Sequence, residues 1–206
     1  MLLAEDKKKL ESYVDKLIEG LKKDTAKAKS NGVSGDQLIE KVTNMTVSKL
    51  TPESKMILSS AYNMMKEHTL AEEYFADSAN KAAFYSADIL KELSQKYNFD
   101  VPNEINYEES DETVKKMCAL GVIGIGGGGV ISWITKSWIP ITIGIAAILA
   151  AIMTYVIKNH GVASSGNSID AVINEYYASV KKSLLAWVDS IDAYYDKAVA
   201  EIKERG

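Results

Sequence analysis

The side chains from which chemistry could be built are few. The 206-residue chain holds two histidines, His68 and His160, one cysteine, Cys118, and one arginine, Arg205. A helical His-Glu-x-x-His metal site needs two histidines one turn apart, and a single thiol cannot supply the clustered thiolates of a structural zinc site. Glu72, Glu73, Asp77 and Asp88 follow His68. A carboxylate metal site in a bundle wants Glu-x-x-His on paired helices, whereas His68 precedes Glu72 by four and no second copy exists. No nucleophile stands with a base in any known spacing. The sequence therefore predicts no enzyme, no metal and no cofactor.

The glycine run "GIGGGG" at 124–129 suggests a phosphate cradle at first sight. A Walker loop follows its glycines with Lys and Ser or Thr, which reach phosphate and magnesium; here Val130 and Ile131 follow Gly129. A dinucleotide fingerprint needs a βαβ unit around it, and no alternating strands flank this run. The balance of 24 Lys plus Arg against 28 Asp plus Glu, a net charge of -4, and the lone arginine argue against nucleic acid as a partner.

The same glycines lie in the least charged part of the chain. Gly121 to Met153 carries one charge, Lys136. Met117–Thr135 and Ile139–Ile157 are each 19 residues without a charge, against the roughly 17–25 of a spanning helix. Lys136 and Pro140 suit a tip between them, with Trp133 and Trp138 as interfacial aromatics. Gly124, Gly128 and Ser132 form a small-residue row on the first segment, and Ala146 with Ala150 and Ala147 with Ala151 offer small faces on the second, the spacing that lets apolar helices pack closely, with Gly144 a further small position there. Gly124, Gly128, Ser132, Trp133, Lys136, Trp138, Pro140, Gly144, Ala147 and Ala151 are the candidate site.

The elements around this middle read as helices. Leu3, Leu10, Val14, Leu17 and Leu21 mark an amphipathic helix over 2–29, ended by Asn31-Gly32. Ser34 with Gln37 reads as a capping box for a helix using Leu38, Val42, Met45 and Leu50. Thr51-Pro52 reads as a restart, with Pro52 at a first helical position, before a stripe of Met56, Ile57, Ala61, Met64 and Met65. Thr69 with Glu72 reads as another capping box. A continuous stripe over 70–97 then uses Tyr74, Ala82, Tyr85, Ile89 and Leu93. A last helix of about 36 residues starts near Asn167 or Ser168 and carries Ile173, Tyr176, Tyr177, Val180, Leu184, Trp187, Val188, Ile191, Tyr194, Tyr195 and Ile202. The tyrosine pairs suit either a sealed helix interface or a partner surface.

The expected fold is an all-α, elongated helical bundle with a central hydrophobic, membrane-inserting hairpin. Its parts are an N-terminal helical region at 1–110, the hairpin at 111–160 and a C-terminal amphipathic helix at 161–206 packing on the first. Long helix, apolar hairpin and long helix in this order resemble the layout of α-helical pore-forming toxins; the likeness rests on 117–157 between helical flanks, without a family motif. It implies a protein that inserts the hairpin and permeabilises membranes as an oligomer. The alternative is a constitutive two-span integral protein whose helical domain is an adaptor or scaffold. Expected partners are a lipid bilayer and a homo-oligomer or helical partner protein. The expected location is the membrane, with a soluble state before insertion. "MLLAEDKKKLESYVDK" is no cleavable signal peptide, since acids arrive at once and no long apolar core follows.

Overall fold

The computed structural model describes residues 1–97 and 166–205. Three long helices carry the architecture: α1 (Ala4–Ser30), α2 (Gly35–Leu70) and α5 (Gly166–Arg205). A 3-10 turn, Glu73–Ala76, and two short helices, α3 (Ser78–Ser86) and α4 (Ile89–Lys96), lie between α2 and the undescribed segment.

The register follows from cross-helix bonds. Thr25 meets Tyr177 at 2.7 Å, Lys181 meets Asp15 at 2.6 Å, and Lys7 meets Asp189 at 3.0 Å, so α1 and α5 run antiparallel. Tyr13 bonds Glu53, and Asp6 bonds His68, so α1 and α2 are antiparallel as well. α2 and α5, each antiparallel to α1, are therefore parallel to one another, and Tyr195 donates to Thr69 at 3.0 Å between them.

The turn between α1 and α2 has a local cause. Val33 N–H bonds the Ala28 carbonyl at 3.1 Å and Gly32 N–H bonds that of Lys29 at 2.9 Å, with Gly32 at φ +83°. This is a Schellman ending, and the positive φ is why glycine stands there. Ser34 occupies the N-cap position of α2 with extended backbone, but its side chain makes no capping bond. The boundary agrees with the sequence; the capping box does not form.

Pro52 is not a restart. It lies inside α2 on the exposed face. Proline removes one intrahelical donor, the one that would bond the Ser48 carbonyl; the hydroxyls beside it fold back onto the helix, Thr51 donating to the Val47 carbonyl and Ser54 to that of Thr51, both at 2.8 Å. Val47, Leu50, Ile57 and Ala61 are buried on both sides of the proline, so tertiary packing carries the helix through. The Thr69–Glu72 box does not form either, because Thr69 is buried inside α2 as the acceptor for Tyr195.

The expected stripe over 70–97 is broken at two aspartates. Asp77 caps α3, accepting the N–H of Ala79 at 2.7 Å and of Asn80 at 3.3 Å. Asp88 precedes α4 at φ 46°. Each break resets the helical phase. Phe84 therefore enters the core, joining Phe75 of the 3-10 turn that precedes Asp77, while Ala82 and Tyr85, expected there, face out. Leu3 is likewise exposed because α1 starts after it, and Leu2 is buried in its place. Met56 is exposed where the sequence placed it on the stripe.

One surface position tests the helix rules directly. Gly20 sits mid-α1, and a Cβ built there meets nothing within 4 Å. Gly20→Ala is expected to raise folding stability by about 0.5–1 kcal/mol through the lower backbone entropy of the unfolded chain. A denaturant melt reads this as a higher midpoint at unchanged slope. A lower midpoint would mean that the bare backbone at Gly20 serves a contact.

The elongated all-α bundle is present, yet among the described residues no helix is long and apolar enough to cross a membrane. α2 and α5 have the length, 36 and 40 residues. Both carry charges on their outer faces, Glu40, Lys41, Lys55 and Glu67 on α2 and Asp170, Glu175 and Asp189 on α5, and spend their apolar stripes on each other and on α1. The expectations of a membrane-inserting fold, an oligomeric toxin-like pore, a two-span integral protein, a lipid bilayer or oligomeric partner and a membrane location are corrected accordingly and set aside. Residues 117–157, on which they rest, lie outside the described residues.

Candidate functional site

All ten expected site residues, Gly124, Gly128, Ser132, Trp133, Lys136, Trp138, Pro140, Gly144, Ala147 and Ala151, lie outside the described residues. Among the described residues the densest polar chemistry gathers where the start of α1, the end of α2 and the last third of α5 meet. Asp6, in the first turn of α1, is buried. Its Oδ2 meets His68 Nε2 at 2.7 Å and accepts the Leu3 N–H at 3.3 Å, and its Oδ1 lies 3.5 Å from Lys9 Nζ. Burial alone would raise the Asp6 carboxyl. The His68 bond, the Leu3 N–H and the charges of His68 and Lys9 together outweigh it and hold the group below its ordinary range.

A second carboxylate repeats the theme. Asp192 is buried on α5; its Oδ1 accepts the Leu2 N–H at 2.7 Å and its Oδ2 lies 3.1 Å from Lys7 Nζ. Lys7 reaches Asp189 as well, and these bonds push its ammonium above the usual lysine range, the Asp189 bond being the largest cause. Two adjacent N–H groups ahead of α1, Leu2 and Leu3, are thus satisfied by one carboxylate each. Unpaired donors at a helix start are costly, and charged acceptors make the stronger bonds.

His68 with Asp6 is the histidine–carboxylate half of a base-assisted nucleophile site. The chemistry stops there among the described residues. Asp6 is shared with Leu3 and Lys9, and no group of three His, Cys, Asp or Glu side chains is placed to hold a metal ion. The pair ties α1 to α2.

The tyrosines do the same along the rod. Tyr176, Tyr177 and Tyr195 are fully buried. Tyr177 bonds Thr25 at 2.7 Å and donates to the Leu21 carbonyl at 3.3 Å. Tyr13 bonds Glu53, whose carboxylate, with burial second, pushes the phenol up to about 12. Tyr97 follows α4, donates to the Ser190 carbonyl at 3.1 Å and stands edge-on to Tyr194 at 6.0 Å; burial pushes its phenol up to about 12. Of the two readings of the α5 tyrosine pairs, three of the four side chains take the sealed interface, and Tyr194 is half-buried at its edge. A shallow hollow of about 510 Å³ along the first turns of α2, lined by Val33, Gln37, Lys41, Asn44 and Met45 among others, is open to solvent and mixed in character.

Sequence reasoning passed over Asp6 and Asp192, although both carry a legible signal. Asp6 stands four residues before Leu10 and Asp192 four after Val188, each on the apolar stripe. An acid on a buried stripe asks for a partner.

No family model matches the chain, and neither the curated proteins nor the solved structures contain a match.

Proposed function

We propose that the chain is a non-catalytic helical frame that fixes both ends of its 98–165 segment and presents that segment for binding. One observation carries the reading. The residue that precedes the segment, Tyr97, is fastened to α5 at Ser190, while α5 itself begins at Gly166. Those points are 24 residues apart on one helix, about 36 Å at 1.5 Å per residue. Lys29 pairs with Asp170 near the far point. The segment between them contains Gly121–Met153, the run with a single charge. The polar groups that could have served catalysis, Asp6, His68 and Asp192, hold helices to one another, which supports a non-enzymatic role.

The test replaces 98–165 with Gly/Ser linkers. A flexible linker of about 40 residues has an r.m.s. reach near 35 Å and bridges the two points. It is expected to keep the helical circular dichroism of the bundle and a cooperative melt. A linker of about six residues extends to no more than about 21 Å; it is expected to pull α4 off α5 and lower the melting temperature. If the long-linker form does not fold, 98–165 supplies core rather than cargo and the frame reading fails.

A further inference from the structure

α4 ends in a cluster that fastening the segment does not require. Lys96, its last residue, places Nζ 4.2 Å from the centre of the Tyr194 ring and 5.9 Å from that of Tyr97. Glu92 stands one turn earlier, in the i, i+4 position from which a glutamate ordinarily pairs with a lysine. That pair is not made. Glu92 Oε2 instead accepts the Tyr194 hydroxyl at 2.8 Å. Lys197, three residues beyond Tyr194 on α5, brings a second positive charge toward Lys96. Burial first and the Lys197 charge second hold the Lys96 ammonium below the ordinary lysine range, with Glu92 pulling the other way. The side chain as a whole is still exposed.

We propose that Lys96 is the favoured acyl-acceptor amine among the described residues, a modification site for donors of the acyl-phosphate class. Nucleophilic attack needs a free amine, an open approach and a fixed position. The Tyr194 face positions the ammonium from which the amine is released. The rings strip part of its water and Lys197 repels its proton, both of which favour the neutral form. The carboxylate best placed to oppose this is engaged by a phenol. In the step itself the Lys96 nitrogen attacks the acyl carbon, an N–C bond forms and the C–O bond to phosphate breaks. Phosphate leaves with the bonding pair, and the surplus amine proton passes to solvent. No oxidant or reductant takes part. The product amide is uncharged and loses its attraction to the Tyr194 ring, beside the Tyr97 that fastens the segment.

The full chain is treated with acetyl phosphate near neutral pH, and initial acetylation rates are read at each lysine by peptide mass spectrometry. Lys96 is expected to react about twofold or more faster than the exposed Lys8, Lys22 and Lys55. Tyr194→Phe keeps the ring but releases Glu92 to pair with Lys96, so the rate at Lys96 falls. Glu92→Gln removes the one carboxylate among the described residues that favours the ammonium, so the rate rises. Circular dichroism of both variants checks that the fold persists. Lys96 reacting no faster than the three comparison lysines overturns the proposal. So does a change of the same sign in both variants, which is what simple loosening of α4 would give, or no change in either one.

Discussion

Tyr195→Ala is expected to lower folding stability by about 3–5 kcal/mol, the largest effect of any single truncation in the bundle. Tyr195 is fully buried on α5 where α2, α3 and α5 converge. Its ring stands edge-on to Tyr62 at 6.0 Å and to Phe84 at 6.5 Å, and Phe84 in turn meets Phe75 at 5.6 Å. Removing the ring leaves a cavity walled by Tyr62 on the long α2 and by Phe84 on the short, Asp77-capped α3, with Phe75 packed behind Phe84. Rings of that size cannot collapse into the space without moving α3. The hydroxyl matters less. Tyr195→Phe strands only the Thr69 hydroxyl, which lies on a helix and can turn to a carbonyl one turn back, so a loss near 1 kcal/mol is expected. Chemical denaturation followed by circular dichroism separates the two, and for a chain of this size 3–5 kcal/mol is about 6–20 °C in melting temperature. Equal, small losses for both substitutions would show that the cluster is loosely packed and that α3 does not depend on it.

The helices that meet the bundle along their whole length were the legible ones. α1 and α5 each present one apolar stripe to their partners, so a period near 3.6 identifies them, and Leu10, Val14, Leu17, Leu21, Val180, Leu184, Val188 and Ile191 all face inward. α2 was harder because it packs on both α1 and α5. It buries a wider arc that includes Ile39, Val47 and Leu58 as well as the expected positions. At Pro52 local propensity favoured a helix start, but burial on both sides of the proline outweighed it. Between Leu70 and Tyr97 the periodicity misled, because Asp77 and Asp88 interrupt the helix without glycine or proline to announce it. The polar ties were legible only in part. Acids on the apolar phase mark Asp6 and Asp192, but nothing local to Tyr97 signals that its hydroxyl reaches Ser190, 93 residues away. Such contacts are set by how α4 lies on α5, which no pattern inside either helix encodes.

Asp6→Ala is expected to cost about 2–3 kcal/mol at neutral pH, because it leaves the Leu3 N–H and the His68 ring without their shared acceptor. The pH dependence distinguishes a charge effect from mere loss of packing. The Asp6 carboxyl titrates lower in the folded chain than its ordinary value of 3.8. A depressed folded value means that the unfolded chain binds the proton first as pH falls. The contribution of Asp6 is therefore complete above that ordinary value and is lost as pH drops below it, through the lower folded value. Asp6→Ala should melt with a flatter acid limb than the parent, its deficit shrinking as pH falls. His68→Ala makes the complementary prediction. It removes the bond that leads the lowering causes and leaves Asp6 with Leu3, Lys9 and the burial that raises it. The acid limb should then move to higher pH, while stability at neutral pH falls by about 1–2 kcal/mol, less than for Asp6→Ala because His68 is itself half-exposed. Melting curves across the acid range for the parent and both variants supply the comparison. An acid limb unmoved by His68→Ala would mean that the Asp6–His68 contact contributes geometry but no charge stabilisation, and that the tie between α1 and α2 is carried by the backbone N–H and by Tyr13 with Glu53 instead.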